Sequence, residues 1–164
     1  MASSSVLSEE RGARGIPKAP FIEDVEKYLG GADAEIEGPL KAIQDAISKY
    51  RYMDSNLNQR RLSLEEKIPD IQKTLSMVEY LQERRANVML SYKLPAAIQL
   101  LRSKLEAAET NVASLTEDLE FLREQLTMME VNMARVYNWD VRRRRERRIA
   151  EEKGGKSTSE KEGG

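Results

Sequence analysis

The chain has 164 residues, the length of one ordinary domain, and 34% of them are charged while only 5% are aromatic. This mixture suits long, half-exposed helices better than a compact globule, which needs large apolar residues to fill a core. The 27 basic and 28 acidic residues leave a formal net charge of −1, so any preference for a charged partner must come from local clustering.

Cysteine and histidine are both absent from the sequence. Disulfides and thiolate metal sites are therefore excluded, and the commonest general base and zinc ligand is missing. We expect a protein that is not an enzyme, acts by binding, and uses no cofactor and no metal. No apolar run reaches the roughly 20 residues needed to cross a bilayer, and the N-terminus lacks a secretory pattern. These features predict a cytoplasmic protein with no membrane partner.

The first part of the chain changes character near residue 20. Residues 1–20 combine Ser, Gly, Pro and mixed charges without apolar periodicity, which predicts disorder. Apolar side chains then recur at helical spacing from Phe21 to Leu29, which predicts a short helix over 21–29 that ends at Gly30.

A long helix is predicted over residues 40–82. Alternating steps of three and four residues from Leu40 place apolar or aromatic side chains at ten of thirteen seam positions, which is a strong coiled-coil pattern. Pro69 lies inside this helix and lacks an amide donor. Because the seam continues in phase beyond it, we expect a bend near residues 67–69 rather than an end.

A second long helix is predicted over residues 98–142, where twelve of thirteen seam positions are apolar. Each seam would be roughly 65 Å long at the helical rise per residue. Two matched helices joined by a short connection fold back on each other. The predicted fold class is therefore all-α dominated, a long antiparallel two-helix coiled-coil hairpin, and residues 21–142 form its single domain.

The connection, residues 83–97, has a different period. Val88, Leu90 and Tyr92 alternate with mostly more polar neighbours, which favours a β-strand. The sequence contains no second run of this kind, and a lone strand leaves its backbone groups unpaired. This residual strand must pair with another chain, or the segment must continue as helix or form a loop. All three alternatives remain open from the residues alone.

The C-terminal residues 143–164 are predicted to be a basic and then disordered tail. The block from Arg142 to Arg148 holds six arginines, but it follows the coil, whereas basic-zipper regions precede theirs. Cations at the end of a helix are usually solvated and favour its dipole, so we do not expect a nucleic-acid partner. Gly155-Lys156-Ser157 lacks the earlier glycine of a phosphate loop, because position 150 is alanine.

Several segments in collinear order resemble the prefoldin family, in particular the subunit 3 branch of its alpha class, also described as von Hippel–Lindau-binding proteins. The segments are Gly15–Pro17, Phe21–Val25, Lys67–Ile71, Ala86–Leu90, Leu119–Gln125 and Glu130–Asp140. The resemblance covers about residues 13–142.

This resemblance implies a subunit of a hetero-hexamer, joined to the other prefoldin subunits through β-hairpins that form a barrel platform. It implies ATP-independent binding of unfolded actin and tubulin at the free ends of the coils, followed by transfer to the cytosolic chaperonin. The side chains that would contact clients at the coil tips are Leu40, Ile43, Ile47, Met129, Met133, Val136, Tyr137 and Trp139.

The chain departs from the family pattern before Ala86. Prefoldins of this class carry about three further strands there, on the order of 30 residues by usual strand and loop lengths. Their absence explains the residual strand at Val88, Leu90 and Tyr92, and we expect assembly into a hexamer to be impaired. The alternative function is a structural or adaptor coiled coil that binds one folded partner.

Overall fold

In the computed structural model, residues 15–84 and 93–162 are described, with side chains described as far as residue 156. Three helices follow one another: α1 is Val25–Leu29, α2 is Glu37–Arg84 and α3 is Leu94–Glu162. Within these ranges there is no strand longer than a single bridge residue at Pro17. None of the described helices is long and apolar enough to cross a membrane.

Helix α1 is short because both of its ends are fixed by local chemistry. The Asp24 side chain accepts a hydrogen bond from the Lys27 amide at 3.1 Å, which caps the first turn. Gly30 ends the helix with φ +93°, a left-handed conformation that glycine adopts without strain from a Cβ atom. The predicted helix over 21–29 therefore forms only in its second half.

Helix α2 passes through Pro69 without ending. Proline removes one backbone hydrogen bond from a helix interior, and the seam on either side maintains the helix across that loss. The structure extends the predicted helix 40–82 to Glu37–Arg84, with Pro39 in the first turn, where a missing amide is harmless.

The chain divides into two compact units, of which the second is Tyr52–Arg123. Its two helical segments are antiparallel, since Arg123 pairs with Asp54 at 3.3 Å and Arg102 pairs with Glu79 at 2.9 Å. Of the nine predicted α2 seam positions in this unit, Gln82 is exposed and the other eight are half-buried. The half-buried positions are Asp54, Leu57, Arg61, Leu64, Ile68, Ile71, Leu75 and Val78. The prediction of two long helices packed as a coiled coil is confirmed.

The first unit contains the described parts of Met1–Arg51 and Glu124–Gly164. Here a third segment, residues 15–24, lies along α3, and we call it the strap. Residues 15–20 were predicted to be disordered, and the structure differs because Ile16 is buried and the Tyr50 hydroxyl binds the Pro17 carbonyl. Apolar anchors and hydrogen bonds from α2 and α3 place a segment that has no helical period.

Helix α3 extends to Glu162, twenty residues beyond the predicted end at 142. Arg, Glu, Ala and Lys dominate this extension as far as Lys153, and these residues have high intrinsic helix propensity. Arg144 also pairs with Asp140 at 3.0 Å one turn earlier. The tail was predicted to be disordered because it lacks apolar residues, but a helix needs an apolar face only where it packs.

Candidate functional site

The first unit contains all eight residues predicted to contact clients. Their exposure differs widely. Ile43, Ile47, Met129 and Val136 are buried, with at most 4% of their surface exposed. The half-buried members are Leu40, Met133 and Trp139, whereas Tyr137 is 56% exposed.

The buried members lie in an apolar core to which the N-terminal region also contributes. Ile16 and Ile22 of the strap are buried, as is Val25 at the start of α1. On α2 the buried residues continue with Ala46 and Tyr50. The seam of this unit is therefore closed by a third segment, whereas the α2 seam of the second unit is only half-buried.

Two amide side chains on α3 bind the main chain of the strap. The Ala19 amide donates to Gln125 Oε1 at 2.7 Å, and the Ile22 amide donates to Asn132 Oδ1 at 3.1 Å. Asn132 also donates through Nδ2 to the Pro20 carbonyl at 2.6 Å. Asn132 is completely buried, so its satisfied hydrogen bonds are necessary for it to be tolerated there.

Two further side chains bind strap carbonyl groups. The Tyr50 hydroxyl donates to the Pro17 carbonyl at 2.5 Å, and burial raises the pKa of Tyr50 to about 12. Arg135 donates to the Glu23 carbonyl at 2.8 Å, with its guanidinium 5.1 Å from the centre of the Phe21 ring. Because its pKa is raised, the Tyr50 hydroxyl keeps its proton and remains a hydrogen-bond donor throughout the neutral pH range.

The segment between α1 and α2 is held by an arginine in the basic block. Arg143 donates to the Ala32 carbonyl at 3.2 Å and to the Ala34 carbonyl at 2.5 Å. It also pairs with Asp140 at 2.6 Å, and Asp140 is only 3% exposed. Arg147 pairs with Asp33. With Arg144, which also pairs with Asp140, three arginines of the block are thus engaged within the protein, which weakens the nucleic-acid interpretation further.

Apolar groups remain on the surface of the same unit. Tyr137 and Val141, four residues apart on one face of α3, are 56% and 42% exposed. An open groove of about 700 Å³ lies between residues 23–26 and α3, where Trp139 and Arg135 are among the lining residues. The Trp139 ring also contacts Arg143, at 4.6 Å from its centre to the guanidinium carbon. The exposed surface combines apolar and charged groups.

The residues predicted to mediate assembly, Val88, Leu90 and Tyr92, lie outside the described residues. In the part of the chain that the structure describes, no cluster of three or more acidic, histidine or cysteine side chains could hold a metal ion.

The polar side chains that bind the strap were missed by the sequence reasoning. Gln125 and Asn132 lie beside the predicted seam, where a coiled coil normally places solvated residues. One signal was present: Asn132 lies between the apolar seam residues Met129, Met133 and Val136. A polar residue so placed is a candidate for burial against a third segment.

The family model described as Prefoldin subunit matches residues 85–139. Prefoldin subunit 3 of Elsinoe fawcettii is 43% identical to this chain, with 88% of each chain covered. Human prefoldin subunit 3 is 37% identical over 79% of this chain and 83% of its own. The probable prefoldin subunit 3 of Schizosaccharomyces pombe is 40% identical over 78% of this chain and 92% of its own. No solved structure matches the chain significantly.

These relatives contain residues that this chain lacks. Since 88% of the chain is about 144 residues, an alignment over 177 residues leaves about 33 positions of the Elsinoe fawcettii protein opposite gaps. The same reasoning for the human protein, with 79% of the chain or about 130 residues aligned over 164, gives about 34. The family match begins at residue 85, where the sequence predicts the missing stretch.

Proposed function

The chain belongs to the prefoldin family, and we propose that it binds unfolded client proteins through its first unit, without ATP and without catalysis. By this proposal it acts in the cytoplasm as a chaperone subunit alongside other prefoldin subunits. Actin and tubulin are the proposed clients, and the cytosolic chaperonin is the proposed acceptor of the bound client.

The observation that carries the proposal is a group of accessible apolar side chains on α3 in the first unit. Tyr137 and Val141 are exposed there, beside the half-buried Met133 and Trp139. Unfolded chains expose apolar groups that folded proteins bury, and contact between two such surfaces is favourable and independent of sequence. Methionine contributes a flexible side chain that adapts to different partners.

A single small surface of this kind binds weakly. Several subunits that present equivalent surfaces to one client would raise the apparent affinity, because each contact after the first is intramolecular. Assembly with other prefoldin subunits would therefore be part of the mechanism rather than an accessory to it.

The test is the aggregation of chemically denatured actin and tubulin after dilution into buffer with increasing amounts of the protein. We compare the wild type with a Tyr137→Ser, Val141→Ser double variant. The matched control is Tyr52→Ser, Leu62→Ser, since these residues of the second unit are also exposed, at 73% and 48%.

We expect the Tyr137, Val141 variant to need at least about threefold more protein for half-maximal suppression of aggregation, because each lost apolar contact weakens binding. The control variant should behave as wild type. If both double variants lose the same amount of aggregation suppression, the first unit is not the specific site of client binding. Failure of the wild type to suppress aggregation of either client would favour the adaptor alternative.

The roughly 33 residues missing relative to the Elsinoe fawcettii protein bear on assembly. We propose that this chain enters a prefoldin hexamer poorly, because the strands that would pair with neighbouring subunits are largely lost. Sedimentation of the chain mixed with the partner subunits tests this. Stoichiometric incorporation would contradict the proposal, whereas a separate slow boundary would support it.

A further inference from the structure

We propose that the strap occupies a peptide-binding groove of its own chain, and that a client enters by displacing the strap with an extended segment of its own. This inference rests on the proposed function, because it names the form in which an unfolded client would bind. The ligand class is an extended polypeptide whose apolar residues are spaced three or six apart, recognised mainly through its main chain.

The groove recognises backbone atoms. Four side chains of α2 and α3 make hydrogen bonds to main-chain amide or carbonyl groups of the strap. The amide acceptors are Gln125 and Asn132, and the carbonyl donors are Asn132, Tyr50 and Arg135. Main-chain groups are the same in every polypeptide, so such contacts do not select a sequence.

The conformation of the bound segment is indicated by its burial. Ile16 and Ile22 are buried, and Ala19 between them is half-buried, whereas Lys18 and Phe21 are exposed. A period of three residues is that of polyproline II helix, which has no internal hydrogen bonds and leaves its backbone available to a partner. Pro17 and Pro20 favour that conformation in the residues before them. The groove therefore fits an extended chain, not a helix.

Apolar selectivity would come from the apolar core of the first unit. Four of the predicted client-contacting residues are buried in it, namely Ile43, Ile47, Met129 and Val136. In this proposal a client reaches these residues by replacing the strap. An incoming segment with apolar residues at the positions of Ile16 and Ile22 would restore both the burial and the backbone hydrogen bonds.

The strap competes with any client from within the same chain. A tethered segment acts at an effective concentration in the millimolar range for short flexible links, so it excludes ligands that bind weakly. A client presented with several contacts to an assembly would overcome this competition. The strap would thereby select against folded proteins, which offer no extended apolar segment.

The probe is a fluorescein-labelled peptide with the sequence of residues 15–24, titrated by fluorescence anisotropy against two full-length proteins. One is the wild type. The other carries Ile16→Ser and Ile22→Ser, which remove the strap's apolar anchors. Because its own strap competes less well, the double variant should bind the peptide at least about tenfold more tightly.

A second peptide tests recognition of the backbone. It carries an N-methyl group on the residue corresponding to Ile22, which removes the amide donor to Asn132 while keeping every side chain. We expect about tenfold weaker binding, the effect of one buried hydrogen bond. The matched control is N-methylation at the position of Phe21, which is exposed and makes no main-chain hydrogen bond among the contacts described for the strap.

If the double variant fails to fold, displacement of the strap can be measured on the wild-type protein instead. Saturating unlabelled peptide should increase hydrogen exchange at the Ile22 amide at least about tenfold, because the displaced strap loses its protection. Equal peptide binding by both proteins, or equal effects of the two N-methyl groups, overturns the inference.

The two proposals can fail separately. If the protein suppresses aggregation of denatured actin but does not bind the peptide, clients are held on the exposed surface and the groove inference falls. If the peptide displaces the strap but aggregation is unaffected, the groove inference stands and the chaperone proposal falls.

Discussion

Replacement of Asn132 by alanine should release the strap from α3. Asn132 is completely buried and binds two main-chain groups of the strap, the Ile22 amide at 3.1 Å and the Pro20 carbonyl at 2.6 Å. Alanine leaves both groups without this partner. Each lost hydrogen bond to a buried group costs about 1 to 1.5 kcal/mol.

The total for the two bonds is about 2 to 3 kcal/mol, which corresponds to an increase of about 30- to 150-fold in the opening constant of the strap. The long helices should be retained, because the coiled-coil seam of the second unit does not depend on the strap. The loss of stability is therefore confined to the strap, and an assay of global unfolding would detect it poorly.

Hydrogen exchange of the Ala19 amide, whose acceptor Gln125 is unchanged in the variant, reports the opening when followed by NMR. The chain's single tryptophan, Trp139, is half-buried beside residues 23–26 and gives a second signal through its fluorescence. Asn138→Ala is the control, since Asn138 is an exposed asparagine on the same helix. If the two variants show the same exchange at the Ala19 amide, Asn132 does not hold the strap and the reasoning fails.

Three further predictions concern other contacts. Because the pKa of Tyr50 is raised to about 12, the folded first unit should lose up to about 2 kcal/mol of stability as the pH rises from 10 to 12. Tyr50→Phe should abolish this loss in urea titrations followed by circular dichroism, and should cost about 1 kcal/mol at neutral pH. Asp140→Asn, which weakens the buried pair with Arg143, should destabilise the first unit by about 1 to 3 kcal/mol in the same titrations. Asp54→Asn, at the more exposed pair with Arg123, should cost under about 1 kcal/mol. If the two substitutions cost the same, burial does not determine the strength of these ion pairs. Leu90→Asp should reduce any association with partner subunits in sedimentation while leaving the helix content unchanged, and unaltered association would refute a role for the predicted strand.

The two long helices were predictable because their packing follows a local repeat. In the second unit every predicted seam position of α2 from Leu57 to Val78 is half-buried. A heptad places side chains on one face wherever the helix forms, so the sequence alone determines which residues meet a partner helix.

The strap could not be predicted in the same way. Its buried residues, Ile16 and Ile22, are six apart and separated by two prolines, a pattern that matches neither a helix nor a strand. Its hydrogen bonds are made to Tyr50, 33 residues from Pro17, and to Gln125, Asn132 and Arg135, more than 100 residues away in the chain. Tertiary contacts of this kind have no local signature.

The site prediction depended on the family resemblance. That resemblance implies that Ile43 and Met129 contact clients at the coil tips, which requires them to be accessible. The structure buries both completely. The difference arises because the N-terminal segment supplies the third apolar surface that a two-helix seam lacks. Binding of clients at these residues remains a prediction.

The central claim is that the first unit holds unfolded chains, and site-specific photo-crosslinking tests it most directly. A benzophenone amino acid would replace Tyr137 in one protein and Tyr52 in another, since both tyrosines are exposed, at 56% and 73%, in the first and second units respectively. Each protein would be irradiated with freshly diluted denatured actin. The account predicts strong crosslinks from position 137 and few from position 52. Equal crosslinking at the two positions, or crosslinks from position 52 alone, would contradict it.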